Sequence, residues 1–485
     1  MRKIIVLLII LMLSKHEPFA QRVYLTLDQA IELSQNSTSY ELLQADSLIN
    51  YYNDRLFKIK TLPKIDLNAT LPNLNNSISP ITLTDGSEKY VDRFYSSANV
   101  GLSVSQLVPF TGGTLSLSST LDRLDNFNPE RSLSYNLNLI NFTYSQKITG
   151  YNQYKWEKKL HKIQKTIDNI QLIQNREYIK EDVVNLFFSL YIEQCRLELN
   201  EFMLEFAKYV YERAVKLYEA HQISEENLLE TEIEYHRAQN NNNDMAISMA
   251  RQKLADYLDL NEGEKLWVIF SPTCLDAYKF NYDPIKLIEQ ALQYSTEVSR
   301  EYDKLQNEQK LKNVNNDSRP SVSLSVGGGI NSQAENFSAI MDSKSRRFNV
   351  VLSLSVPLFN WGSNRINKNL VLQEINKSNI QYETKRKDDL ASYSYDIKRI
   401  NLLLSEITED KALLDLLKKR LDLIKTNVQY GKIDMSKIMQ AERQLVQSHM
   451  NYVNKIKEVF LLIYKYRAMA LIDIRDNSNV VEFMN

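Results

Sequence analysis

The side chains best able to ligate a metal or act as a nucleophile are few: histidines at 16, 161, 221, 236 and 449, with Cys195 and Cys274. None stands at a spacing that chemistry uses. No HExxH, CxxC, GxSxG or Walker pattern occurs. His161 and His449 fall within helical runs. Gly327-Gly-Gly329 falls within a period-two run, where close backbone approach accounts for it. Cys195 also lies in a helical run, so the two cysteines read as small buried thiols rather than a bridge. No catalytic, cofactor-binding or metal-ligating set is expected. Polar side chains with a legible local task gather instead in two short turns, Glu219-Ala-His-Gln-Ile-Ser224 and Tyr430-Gly-Lys-Ile-Asp434. Gly431 suits a left-handed helix end. Ser224 and Asp434 suit the N-caps of returning helices.

The elements that carry these turns are long. Only 11 of 485 residues are Gly and 10 are Pro, against typical usage of about 7% and 5%. Both punctuate turns. Neither occurs from Tyr151 to Glu262, and only Gly431 occurs from Ser363 to Asn485. Two long helices are therefore expected there. In the first, Val183, Leu186, Leu190, Glu193, Leu197, Asn200, Leu204, Ala207, Tyr211, Ala214 and Tyr218 step three and four residues apart. In the second, the stripe runs from Leu390 through Tyr393, Ile397, Ile400, Leu404, Ile407, Lys411, Leu414, Leu417, Leu421 and Ile424 to Val428. Both read as coiled-coil seams. The returning helices should reach about 260 and about 474.

Shorter helices precede the strands. Thr26 and Gln29 form a capping box, and that helix should run to about Thr61, before Pro63. Asp283 and Pro284 start its counterpart, which should end before Pro320. Strand-like segments lie near 65–71, 96–107, 114–121 and 133–146, with Gly112-Gly113 a turn between the middle two. In the last segment the apolar phase slips at Ile140, as a bulge would cause. Two more strands are expected within 320–358, where Val322, Leu324 and Val326, then Phe348, Val350, Leu352 and Leu354, occupy alternate positions. The other face is Ser, Asn and Gly. Apolar outside with small polar residues inside is the pattern of a membrane β-barrel, although a soluble sheet shares the period.

Compartment follows from the N-terminus. Met1–Ala20 reads as a secretory signal, with Arg2 and Lys3 before the apolar run Ile4–Leu13. With 59 basic and 60 acidic side chains, no electrostatic case for nucleic acid exists.

The chain reads twice, as 21–282 and 283–485. An offset of 210 places His221 on Gly431, Ser224 on Asp434, Leu228 on Ile438 and Glu232 on Glu442; among the short helices, Ala30 falls on Ala291 and Ser34 on Ser295. The long helices rise about 100 Å and the short ones about 54 Å. Two short helices stacked end to end therefore match one long helix, which suits a tube or stalk.

In this order, the local sequences resemble the TolC-like outer-membrane efflux proteins. Four stretches carry the likeness: Thr26-Leu-Asp-Gln-Ala-Ile31, Ser353-Leu-Ser-Val-Pro-Leu-Phe-Asn-Trp-Gly362, the degenerate Tyr144-Ser-Gln-Lys-Ile148, and Gly431 through Glu442. The resemblance implies a membrane β-barrel plus a long α-helical coiled-coil barrel, with two repeats per chain in a trimeric tunnel. It implies an outer-membrane homotrimer in contact with lipid, its tunnel extending into the periplasm. The tip would dock on a periplasmic adaptor, the membrane-fusion protein, and through it serve an inner-membrane pump. No cofactor is implied. The tip contacts would be His221, Gln222, Ser224, Gly431, Lys432 and Asp434. The tunnel constriction would map to Asn227, Glu230, Lys437 and Gln440, where only Glu230 keeps the acidic character common in the family; a ring of Lys437 would favour anions. His221 replaces the expected tip glycine. Residues 63–150 also exceed the strand pair that the resemblance implies for a repeat. The rival reading is a soluble periplasmic coiled-coil scaffold or adaptor.

Overall fold

The computed structural model describes residues 23–480 except 83, 85, 129, 241–243, 261–265, 273–274, 276–281 and 431–433. The expected signal peptide at 1–20, Cys274, Gly431 and Lys432 lie outside the described residues. Two compact units are present: one takes Ile49–Ile167 and Val298–Glu383, the other the residues up to 48, Asp168–Glu297 and the chain from Thr384 onward.

The first unit holds a six-stranded antiparallel sheet. Strands β2 (Lys64–Thr82), β3 (Glu88–Leu107), β4 (Thr114–Asn128), β5 (Ser132–Lys147), β7 (Ser321–Ala334) and β8 (Lys344–Ser355) lie side by side in that order. The register aligns Ile65, Val104, Leu117, Phe142, Gly328 and Phe348 in one row across all six strands. The next row, on the other face, is Lys64, Ser105, Ser116, Thr143, Gly327 and Asn349. Side chains alternate faces along a strand, so one face is apolar and the other small and polar. The apolar face is bare: Ile65, Leu67, Phe348, Leu352 and Leu354 are all exposed.

Segment 63–150 thus supplies four full strands, longer than the sequence pattern indicated. The turn at Gly112-Gly113 stands as read: the Val108 N–H donates to the Gly113 carbonyl at 2.8 Å, and Gly112 has φ of 77°. The phase slip at Ile140 is a bulge, with register shifts in the pairings of β5 with both β4 and β7. Helix α2 (Thr38–Ile59) packs on the start of α3 (Gln153–Glu219) in this unit. Phe57 stacks on His161 with ring centroids 4.0 Å apart, and Asp54 accepts from His161 at 2.9 Å and Lys165 at 3.1 Å. His161 therefore has a packing task.

The second unit is helical. It holds the rest of α3, with α4 (Glu225–Asn240), α5 (Asp244–Tyr257), the remainder of α8 (Ser363–Gln429) and α9 (Met435–Met469). Phe187, Phe188 and Leu190 of α3, Ile400 and Leu403 of α8, and Ile456, Val459 and Phe460 of α9 share one core. The α8 seam follows the expected spacing from Tyr393 to Val428, except that Leu403 rather than Leu404 is fully buried and Leu390 and Lys411 are exposed. The α3 seam differs. Val183, Leu190, Ala207 and Ala214 are buried as expected, but Phe187, Phe206, Val210 and Leu217 are buried while Leu186, Glu193, Leu197, Asn200, Leu204, Tyr211 and Tyr218 are not. The face of α3 that the partner helices cover decides which of several neighbouring apolar residues is buried.

The short helices are broken, not continuous. Helix α1 (Leu27–Leu33) passes through a 3₁₀ turn at Ser34–Asn36 before α2. Helix α6 (Pro284–Leu292) passes through a π-turn at Gln293–Glu297 before α7 (Val298–Asp317). The breaks fall at the aligned serines. Ser34 Oγ donates to the Ile31 carbonyl at 2.6 Å and Ser295 Oγ to the Ala291 carbonyl at 2.7 Å, competing with the helix ladder. Strand β1 (Val23–Thr26) pairs in parallel with β6 (Leu266–Ile269), a bridge the sequence pattern did not reveal. Short strands β9 (Ile472–Asp473) and β10 (Ser478–Asn479) close the described C-terminus, so α9 ends at Met469 rather than about 474.

Candidate functional site

The turn between α3 and α4 is built around a histidine. The Gln222 N–H donates to the Leu217 carbonyl and the His221 N–H to the Tyr218 carbonyl, both at 2.8 Å. That is the double bond of a Schellman end. It requires a left-handed residue, and His221 supplies φ of 58° where glycine is usual. His221, Gln222 and Ser224 are all exposed. Ser224 Oγ accepts from the Asn227 N–H at 3.3 Å, which caps α4. In the second turn Asp434 caps α9 by accepting from the Lys437 N–H at 3.2 Å. Arg213 of α3 donates to the Gln429 carbonyl at 2.8 Å and so closes the end of α8. This bond brings the ends of the two long helices together.

The residues expected at a constriction are placed as follows. Lys437 is exposed and its ammonium lies 2.9 Å from the Asp434 carboxylate. That side-chain bond, with the Lys437 N–H, holds Asp434 below the usual carboxylate range. The positive charge of Lys437 is thus offset locally by Asp434. Gln440 is exposed and accepts from Arg420 at 3.4 Å. Glu230 is exposed and Asn227 half-buried.

A second acidic position was missed. Glu442 of α9 faces a cavity of about 960 Å³ with Glu234 and Arg237 of α4, Met203 and Ala207 of α3, and Arg443. Burial and the Glu234 charge push its carboxyl up to about 7, against the opposing pull of Arg443. The legible signal was a glutamate flanking the buried stripe Met435, Ile438, Ala441 and Leu445. Cys195 is a buried free thiol, pushed up to about 11 chiefly by burial. Among the described residues no cluster of three His, Cys, Asp or Glu is placed to hold a metal. Among the described residues no helix is long and apolar enough to cross a membrane.

The other candidate surface is the sheet. Its polar face carries Ser103, Ser105, Ser116, Ser118, Asn141, Thr143 and Asn349. Glycines on that face sit under crowding: a Cβ at Gly327 would meet Asn349 Oδ1 at 2.7 Å. Where the apolar face meets α8, Leu358, Phe359 and Trp361 are exposed, Trp361 at 86%.

Residues 288–457 match the family model described as outer membrane efflux protein. The cation efflux system protein CusC of Escherichia coli O6:H1 is 24% identical over 147 residues, which are 29% of this chain and 32% of that protein. The match thus spans about a third of the length of these curated relatives. Likeness of fold is broader. The outer membrane protein VceC of Vibrio cholerae superposes with a TM-score of 0.63 at 12% identity, covering 92% of this chain and 95% of that one. The Campylobacter jejuni CmeC outer membrane channel gives 0.61 at 14%, covering 92% and 85%. The match to the outer membrane efflux protein model is thus confined to residues 288–457, while the chain as a whole shares its fold, a sheet unit and long helices, with these TolC-like channel structures.

Proposed function

We propose that the protein is the outer-membrane channel of a tripartite efflux or secretion system. Three copies close their sheets into one barrel, and the long helices α3 and α8 wall a tunnel in the periplasm. Small molecules or polypeptides handed over by an adaptor and an inner-membrane pump leave through it without a chemical step. The observation that carries this reading is the two-faced sheet. A bare apolar face opposite a face of small polar residues is stable where lipid covers one side and water the other. It counts against a soluble periplasmic scaffold, which would expose the same apolar rows to water. Two helices of 67 residues each add walls of about 100 Å. The turns at His221 and Asp434 are the proposed adaptor contacts, with Gln222, Ser224, Gly431 and Lys432 beside them. Asn227, Glu230, Lys437 and Gln440 are the proposed constriction.

Envelope fractionation with heat-modifiable gel migration tests the proposal. An outer-membrane protein that migrates as a compact trimer until boiled is expected. A monomer released without detergent would overturn it. Photocrosslinking from His221 should capture an adaptor.

A further inference from the structure

Three copies of a strand pair per repeat would make a twelve-stranded barrel. The sheet of this chain has six strands, because the first half contributes four and the second half two. We infer that the barrel has eighteen strands, and that β2 and β3 are full staves of its wall. The inference rests on the trimeric channel proposed above.

Four observations carry it. First, the pairing is continuous. β2 pairs with β3 from Lys64 to Thr82, and β3 with β4 from Leu107 to Phe94. The extra hairpin is bonded into the sheet through the whole stretch Phe94–Leu107, and its outer end, Glu88–Arg93 with the facing part of β2, extends past β4. Second, it shares both faces. Ile65 and Val104 extend the apolar row of Leu117, Phe142 and Phe348, while Asp66 and Ser103 extend the polar row of Ser118, Asn141 and Arg347. A hairpin lying beside a barrel would have no reason to keep both rows in phase. Third, the exposed apolar residues of β2, Ile65, Leu67, Leu71, Leu74 and Ile78, suit lipid. Fourth, the free edges are β2 and β8. Unpaired backbone groups do not survive in hydrocarbon, so these edges must meet. Six alternating strands put β8 of one copy antiparallel to β2 of the next, which permits closure at any number of copies.

A single copy closed on itself would be too narrow. About eight strands leave room only for side chains, and sixteen to eighteen leave an aqueous channel. Barrel diameter grows roughly linearly with strand number, so eighteen strands give a mouth about half as wide again as twelve. The wall facing that lumen is mostly Ser, Thr, Asn and Gly, with charges of both signs at Lys64, Asp66, Arg93, Asp122 and Arg347. Such a mouth suits bulky polar solutes and extended polypeptides, and it sorts little by charge.

Disulfide trapping in the full-length chain, with Cys195 and Cys274 changed to Ala, tests the inference. Asn349→Cys or Ser353→Cys on β8 is combined with Asp66→Cys, Asn68→Cys or Thr70→Cys on β2, or with Ser116→Cys or Ser118→Cys on β4. All lie on the polar face. Bridged Cα atoms lie within about 7 Å. Adjacent strands are about 4.8 Å apart, so an intervening hairpin holds β4 about 14 Å away. Covalent dimers and trimers on non-reducing gels are expected from at least one β8–β2 pair and from no β8–β4 pair. Crosslinks from β8 to β4, or none from β8 to β2 in a protein that still migrates as a heat-modifiable trimer, would overturn eighteen strands and leave the channel proposal standing. A protein that is monomeric in detergent would overturn both.

Discussion

A Cβ on Gly329 would lie 2.3 Å from the carbonyl oxygen of Ile140. The partner is backbone, and it lies where the β5 bulge shifts the pairing with β7. Neither chain can move without breaking the ladder. Gly101 is crowded differently: its nearest neighbour is Thr120 Cγ2 at 2.9 Å, the end of a side chain that can rotate. Gly329→Ala should therefore abolish the compact heat-modifiable form or lower its melting temperature steeply. Gly101→Ala should shift it by a few degrees at most. Gel migration across a temperature series reads both.

Much of this was legible in the residues. Alternation marked the strands, and glycine scarcity marked α3 and α8. The caps at Thr26, Asp283 and Asp434 form with their side chains as read. What stayed hidden was non-local. The parallel pair of β1 with β6 joins segments over 240 residues apart, and no local pattern encodes such a partner. The true α3 stripe was hidden by its own richness. Phe187 and Leu186 are equally apolar neighbours, and only the facing helices decide which one is buried. Glu177 illustrates a third limit: a charged residue in a helical run reads as solvated until its partners are known.

His221 holds a left-handed conformation that costs a residue with a Cβ about 1–2 kcal/mol. The two backbone bonds at the end of α3 require that conformation whichever residue occupies it. His221→Gly should stabilise the turn by about 1 kcal/mol, the greater freedom of glycine in the unfolded chain taking back part of the gain. His221→Val should destabilise it, since branching at Cβ worsens the clash. Hydrogen-exchange protection of the Gln222 amide reports the difference at the turn itself.

Glu177 is fully buried on α3 and is held by Lys180 at 2.6 Å and Arg467 at 2.8 Å. Arg467 also bonds Asp473, which accepts from Arg475. Burial alone would raise the Glu177 carboxyl, but the Arg467 and Lys180 charges outweigh it and hold it below its usual range. Arg467→Met would leave the carboxylate short of its strongest partner, at a cost of about 3–5 kcal/mol. Glu177→Leu combined with Arg467→Met should cost less than Arg467→Met alone. A double-mutant cycle in thermal unfolding checks the sign. Equal losses in the single and double variants would show that Arg467 acts through Asp473 instead.

Glu442 sets a pH dependence of the opposite sense. Its folded-state value, about 7, lies above the ordinary 4.5 of a glutamate. The folded protein therefore holds a proton that the unfolded chain has released. This contribution to stability is complete below about pH 4.5, declines as pH rises to about 7, and is absent above that. Ionised Glu442 faces Glu234 across the cavity, and Arg443 offsets only part of the repulsion. Glu442→Gln keeps the neutral shape at every pH. At pH 8 it should be more stable than the parent by about 2 kcal/mol, after allowance for partial exposure. At pH 4 the two should melt together. Glu234→Gln removes the neighbour instead and should shift the parent's transition towards lower pH. Melting curves of the three proteins between pH 4 and pH 8 separate the outcomes. A Glu442→Gln advantage that is the same at both ends would show that its charge is not the cause.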